Sequence, residues 1–160
     1  MKKKTVMKKT PRKKWANSNK PIEDGIQFDS DAELDMYRLL KQAKIPFTYI
    51  GNENAKYTLL EQAEYEGECY ERAQKRSKEM KHTPKIAETG YTPDFVGENE
   101  TWFIEVKGRK LGDFNLRWKL FKRFLSNRDP KPIIFMPVTI GDFQQVVNIL
   151  KQKGYARQTS

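Results

Sequence analysis

The segment Tyr91-Thr92-Pro93-Asp94-Phe95, followed eleven residues beyond its aspartate by Glu105-Val106-Lys107, decides how the chain is read. The second motif closes the run Thr101-Trp102-Phe103-Ile104-Glu105-Val106-Lys107. Aromatic and β-branched residues dominate both stretches, so they read as adjoining strands over 89–96 and 101–107, joined by the turn Gly97-Glu98-Asn99-Glu100. Side chains alternate along a strand, which puts Glu105 and Lys107 on one face and turns Val106 to the other. If the strand ending near Asp94 lies beside this one, two carboxylates and an amine meet in apolar surroundings, where charge is costly unless paired or used. Carboxylate oxygens are the donors a hard cation such as Mg²⁺ prefers, with Mn²⁺ able to substitute, and the Val106 carbonyl offers a further ligand. Such a group suits phosphodiester hydrolysis: the cation offsets transition-state charge and acidifies water, and Lys107 orients the nucleophile.

Outward from this block, folded structure is expected to begin near Ile22. Ser30-Asp31-Ala32-Glu33 has the form of a capping box and opens a helix to about Ala43, with Leu34, Met36, Tyr37 and Leu40 at helical spacing. Glu33 reads either as the cap's reciprocal partner or as a fourth functional carboxylate entering from the helix N-terminus. Phe47-Thr48-Tyr49-Ile50-Gly51 and residues 56–62 read as two antiparallel strands. Residues 63–85 form a charged insert, acidic first (Glu64, Glu66, Glu68) and basic later (Lys75, Arg76, Lys78, Lys81), in which a surface helix is expected from about Glu68 to Met80. A second helix, about Asp113 to Ser126, sets Phe114, Trp118, Phe121 and Leu125 on one stripe and Lys119, Lys122 and Arg123 on the wet face. Arg117 lies nearer the stripe and should reach out or find an acidic partner. A buried strand over 132–138 and a helix over 141–154 complete the order.

The chain carries 31 Lys and Arg against 21 Asp and Glu, net +10, with a sequence pI near 9.6. That balance draws it to polyanions, nucleic acid first among them. Residues 1–20 hold nine Lys or Arg, Lys13 and Lys14 included, and no acid; residues 1–21 read as a basic disordered arm that touches nucleic acid, and 22–160 as a single domain. One cysteine, Cys69, and one histidine, His82, exclude an intrachain disulfide and a multi-Cys/His zinc cluster, and no catalytic role is expected for either. No apolar run approaches the roughly 20 residues that cross a bilayer, and no secretory signal follows the basic start, so a cytoplasmic protein is expected.

Pro93-Asp94, Glu105-x-Lys107 and a preceding helical glutamate resemble the PD-(D/E)xK nuclease superfamily. Within it, Ser30-x-x-Glu33, Tyr91-Thr92-Pro93-Asp94-Phe95 and Glu105-x-Lys107-Gly108, in that order, are similar to phage-type endonuclease I, enzymes that cut Holliday junctions and other branched DNA. The resemblance covers about Ser30 to Val138 and leaves the insert unmatched. It implies an α/β fold with a restriction-endonuclease-like core, a mixed central sheet flanked by helices, and Mg²⁺-dependent cleavage by Glu33, Asp94, Glu105 and Lys107. The metal would sit on Asp94, Glu105, Val106 and Glu33. It further implies a homodimer on DNA, a host cytoplasm if the chain is phage-encoded, and no nucleotide cofactor. Arg109, Lys110, Arg117, Lys119, Lys122 and Arg123 are the expected phosphate contacts beside the site, with Lys13 and Lys14 in the arm. Two alternatives stay open: a nuclease of the same chemistry acting on linear or single-stranded DNA, and a nonenzymatic nucleic-acid binder indifferent to Mg²⁺.

Overall fold

The computed structural model describes residues 20–72, 78–107 and 112–158; Lys13, Lys14, Lys75, Arg76, Arg109 and Lys110 lie outside them. The described elements open with β1 (Ile22–Glu23), β2 (Ile26–Gln27), α1 (Asp31–Gln42), β3 (Phe47–Tyr49) and β4 (Tyr57–Leu60). Short strands follow: β5 (Ala63–Glu64), β6 (Tyr70–Arg72), β7 (Met80–His82), β8 (Lys85–Ile86), β9 (Thr89–Tyr91) and β10 (Phe95–Gly97). A 3-10 turn (Glu98–Glu100), β11 (Trp102–Ile104), α2 (Phe114–Ser126), β12 (Ile133–Phe135) and α3 (Ile140–Gln152) complete them.

The first hairpin turns on Asp24 (φ 52°) and Gly25 (φ 77°), two successive positive φ values that match the twist of the strands they join. Ser30 caps α1 in extended geometry, its Oγ accepting from the Glu33 amide at 3.2 Å. The helix closes with Lys44 at φ 55°, where Lys44 N donates to Lys41 O and Ile45 N to Leu40 O, the paired bonds of a Schellman ending. α3 begins with a full capping box between Thr139 and Asp142, and ends with the same pair of bonds around Gly154 (φ 82°).

Four strands build the central sheet in the order β12-β11-β10-β3. β10 runs antiparallel to β3 and β11, setting Phe95 opposite both Tyr49 and Ile104, while β12 runs parallel to β11 after the crossover through α2. The alternation expected of β11 divides the core in two. Trp102, Ile104 and Val106 pack with Phe28, Leu34, Phe95, Phe143 and Leu150 on the side of α1 and α3. Phe103 packs with Tyr57, Tyr91, Phe121 and Leu125 on the side of α2. Past Ile104 the parallel bonding continues, with Glu105 N donating to Phe135 O and Lys107 N to Pro137 O, both at 3.0 Å. Glu105 and Lys107 are thereby aligned with Phe103, on the α2 side.

Three expectations are corrected. In its described residues, 68–72 and 78–80, the segment read as a helix is instead the outer part of a β-ribbon, in which β4 pairs β9, β5 pairs β8 and β6 pairs β7. The charge run has no apolar stripe for a helix to bury, whereas ribbon pairing sets Glu64 opposite Lys85 and Glu71 opposite Lys81. The strands expected to pair over 47–51 and 56–62 take separate partners, β3 joining β10 and β4 joining β9. Finally, the strand read over 89–96 is broken at residues 92–94, because Pro93 has no N–H to give a ladder. That break lets one segment serve two sheets and places Asp94 at the bend.

Gly97 does more than form a turn. A Cβ there would lie 2.4 Å from the indole of Trp102, which is fully buried. Gly97→Ala is therefore expected to lower the unfolding free energy by about 1–3 kcal/mol in urea titrations. Gly141→Ala, which meets only Thr139 Oγ1 at 3.6 Å within α3, should be neutral or stabilising.

Candidate active site

Asp94 is fixed from both sides by backbone bonds. Its amide donates to Ile104 O at 3.0 Å and its carbonyl accepts from Ile50 N at 2.8 Å, so β3 and β11 hold it in register. Its Oδ2 accepts from the Val106 amide at 2.6 Å, which ties the carboxylate to the strand carrying Glu105 and Lys107. Glu105 is buried, at 5% exposure, and its Oε1 accepts from Lys107 Nζ at 2.9 Å. The same ammonium lies 3.9 Å from the centroid of the Phe114 ring at the start of α2, a cation–π contact that fixes its direction.

The two carboxyls are electrostatically strained. Burial, then the charges of Glu105 and Glu33, raise the Asp94 carboxyl well above the ordinary range, against the pull of the Val106 amide and Lys107. Burial also raises Glu105, with Lys107 opposing. Glu105 Oε2 and the Tyr91 hydroxyl are both buried without a well-formed hydrogen bond, and that hydroxyl is the donor facing the carboxylate, helping Lys107 to hold it down. Tyr91 is itself raised, by burial first and by the charge of Glu105 second, which places it in that carboxylate's field.

Glu33 approaches from α1 but is held elsewhere. Its Oε2 accepts from Tyr49 Oη at 2.7 Å and from the Asp29 amide at 3.1 Å, and its Oε1 accepts from Ser30 Oγ at 2.9 Å. The reciprocal half of the capping box thus lands one residue before the cap. Burial, followed by the bond to Glu33, pushes the Tyr49 phenol far up, so it stays a donor. Among the described residues no three acidic, histidine or cysteine side chains form a ready metal-holding group. The acids that meet most directly are Asp94 and Glu105, beside Lys107 and the Val106 amide.

A cavity of about 530 Å³ opens over Glu105 and Lys107, bordered by Tyr91, Thr92, Phe114 and Arg117. Arg117 finds the acidic partner expected of it, gripping Asp113 through two bonds of 2.8 and 2.9 Å. Lys119, Lys122 and Arg123 stand exposed along α2. Sequence reading passed over Tyr49 and Tyr91. Tyr91 sat inside the quoted motif, but nothing in a lone strand tyrosine distinguishes a core ring from one whose hydroxyl meets a carboxylate.

The raised carboxyls fix the sign of a stability measurement. A carboxyl whose folded pKa exceeds its unfolded value binds its proton more tightly when folded, so stability falls as pH rises between the two. In EDTA, Asp94→Asn, whose amide oxygen can still accept from Val106, should raise the thermal midpoint at pH 8. The gain should shrink as pH is lowered toward the ordinary carboxylate range.

Comparison with protein-family models, with curated proteins and with solved structures finds no match to this chain.

Proposed function

We propose that the chain is a divalent-metal-dependent endodeoxyribonuclease of the PD-(D/E)xK type, built on a restriction-endonuclease-like core and selective for branched DNA such as Holliday junctions. One observation carries the reading: Asp94 and Glu105 are both raised by burial, Asp94 is tied to the Val106 amide between Glu105 and Lys107, and Glu105 and Lys107, 2.9 Å apart, line an open cavity. A structural ion pair needs only one carboxylate, and a second beside it is costly without a further cation. Glu105 Oε2, which has the Tyr91 hydroxyl beside it but no well-formed hydrogen bond, is the atom such a cation would satisfy.

Mg²⁺, with Mn²⁺ as substitute, would be held by Asp94 and Glu105, with the Val106 carbonyl and Glu33 completing the set directly or through water. Bound there, the metal supplies Lewis-acid stabilisation of the phosphoryl oxygens and lowers the pKa of water. Lys107 is aimed by Glu105 and Phe114 and presents its ammonium to the attacking water and the developing negative charge. Tyr91 offers a hydroxyl donor on the same wall. Tyr49, Ser30 and the Asp29 amide keep the Glu33 carboxylate oriented. Arg117, at the cavity edge, and Lys119, Lys122 and Arg123 along α2 supply positive charge for phosphates, and a homodimer would present two such sites to two strands. No helix among the described residues is long and apolar enough to cross a membrane.

Incubation with a labelled four-way junction and a matched linear duplex, in Mg²⁺ or EDTA, tests this reading. Cleavage of the junction in Mg²⁺ alone is expected; equal cutting of both substrates would remove the branch selectivity, and binding without cutting would remove the enzyme. Lys107→Ala should lower the cleavage rate about 10²- to 10³-fold with little change in junction affinity, and full activity in that variant would refute its assignment.

Replacing Lys119, Lys122 and Arg123 together by Ala should reduce the slope of log affinity against log salt by about 2–3, if each meets one phosphate. An unchanged slope would take α2 out of the interface.

A further inference from the structure

The break at Pro93 has a counterpart on the neighbouring strands. Tyr49, the last residue of β3, lies opposite Phe95, and Tyr57, the first of β4, lies opposite Tyr91, so residues 50–56 face residues 92–94 across the ladder. The longer segment bulges, and it is pinned at both ends to the shorter one. Ile50 N donates to Asp94 O at 2.8 Å, and Lys56 N donates to the Thr92 side chain, whose Oγ1 accepts at 2.9 Å. Pro93, between these two acceptors, has no N–H to give in return. The second bond differs in kind from the first: a main-chain amide at the edge of a strand takes a side-chain oxygen where a regular ladder supplies a carbonyl.

Two further features press this loop into place. Glu53 N closes a turn on Ile50 O at 2.9 Å, and Ala55 takes φ 45°, a left-handed conformation that a non-glycine residue keeps only where its surroundings hold it. Ala55 also lies directly on β9. A Cβ built on Gly90 would come 2.4 Å from Ala55 Cβ and 2.9 Å from its Cα, so the loop sits this close only because residue 90 is glycine. Gly51, Glu53, Asn54 and Ala55 then border the cavity over Glu105 and Lys107. The loop is at once a clamp on the segment that carries Asp94 and a wall of the space above Glu105.

We propose that Thr92 is a positioning residue for Asp94: its hydroxyl oxygen closes loop 50–56 over the break, and the closed loop keeps the Asp94 carboxylate on Val106 N, where it can share a cation with Glu105. The backbone of Asp94 is the link, since its carbonyl is the acceptor at the loop's other end. Valine, branched in the same way, would fill the same space and leave Lys56 N to water, because Lys56 is exposed. The oxygen therefore contributes placement rather than bulk. The proposal rests on the nuclease reading for the cation alone, because the bond between Asp94 and Val106 belongs to the metal-free chain.

The ¹H–¹⁵N spectrum of the full chain in EDTA reads the placement directly, because the Val106 amide proton, in a 2.6 Å bond to a carboxylate, resonates downfield. In Thr92→Val that resonance should move upfield and the amides of Ile50 and Lys56 should exchange faster, while Thr92→Ser restores both. Gly90→Ala, which forces Ala55 off β9, should give the same upfield move through a residue with no polar side chain. Thr58→Val, at an exposed position on β4 opposite Gly90, should leave the resonance in place. Calorimetric titration of the DNA-free protein with Mn²⁺ should show affinity falling about tenfold or more in Thr92→Val and returning in Thr92→Ser. A Val106 resonance unmoved in Thr92→Val, a move that Thr92→Ser fails to reverse, or a wild-type Mn²⁺ affinity retained in Thr92→Val would overturn the proposal. If the wild-type chain binds no Mn²⁺ and cuts no DNA while the Val106 resonance still responds to Thr92, the nuclease reading alone falls and the positioning of Asp94 stands.

Discussion

Two carboxylates drawn out of water beside each other, Asp94 and Glu105, set the terms for everything around them. Desolvation raises both, the charges of Glu105 and Glu33 raise Asp94 further and that of Glu33 raises Glu105, and the fold meets that cost with a Val106 amide on one, a Lys107 ammonium on the other and two backbone bonds holding Asp94 between strands. The compensation is incomplete. Glu105 Oε2 meets the Tyr91 hydroxyl without a well-formed hydrogen bond, an arrangement that costs stability unless a bound group completes it. Local rules broken at one place, with neighbouring elements well capped and well packed, are what a functional site looks like from the standpoint of folding.

The bend at Pro93 is the structural device that makes this possible. By interrupting the strand it sends β9 to β4 and β10 to β3 and β11, so one short segment links the sheet core to the ribbon. The acid pair, the cavity and the ribbon are therefore neighbours in the chain as well as in space. Glu33 shows a second device: Ser30, Asp29 and Tyr49 hold its carboxylate, so α1 contributes a charge whose orientation does not depend on solvent.

Much of this was legible in the residues. The period-two alternation of Trp102 to Lys107 gave the correct faces, and the Ser30 and Asp113 neighbourhoods gave two helix starts to within a residue. Local patterns succeed there because each buries one face against one partner. Strand pairing was misread where partners lie far apart in sequence: nothing in Phe47 or Tyr57 reveals that each joins a different piece of 89–97. The insert was misread because charge runs carry no period until the opposite strand is known, and Glu71 opposite Lys81 explains the charges only once the ribbon exists. Tyr49 and Tyr91 were illegible for a related reason, since what matters is where each hydroxyl ends.

Proton release on cation binding tests the central claim most directly. If the raised carboxyls of Asp94 and Glu105 share one divalent ion, adding Mn²⁺ to the DNA-free protein in weak buffer near neutral pH releases protons saturably. That release disappears in Asp94→Asn and in Glu105→Gln. No release from the wild-type chain, or the same release from all three proteins, would contradict a metal site at this pair.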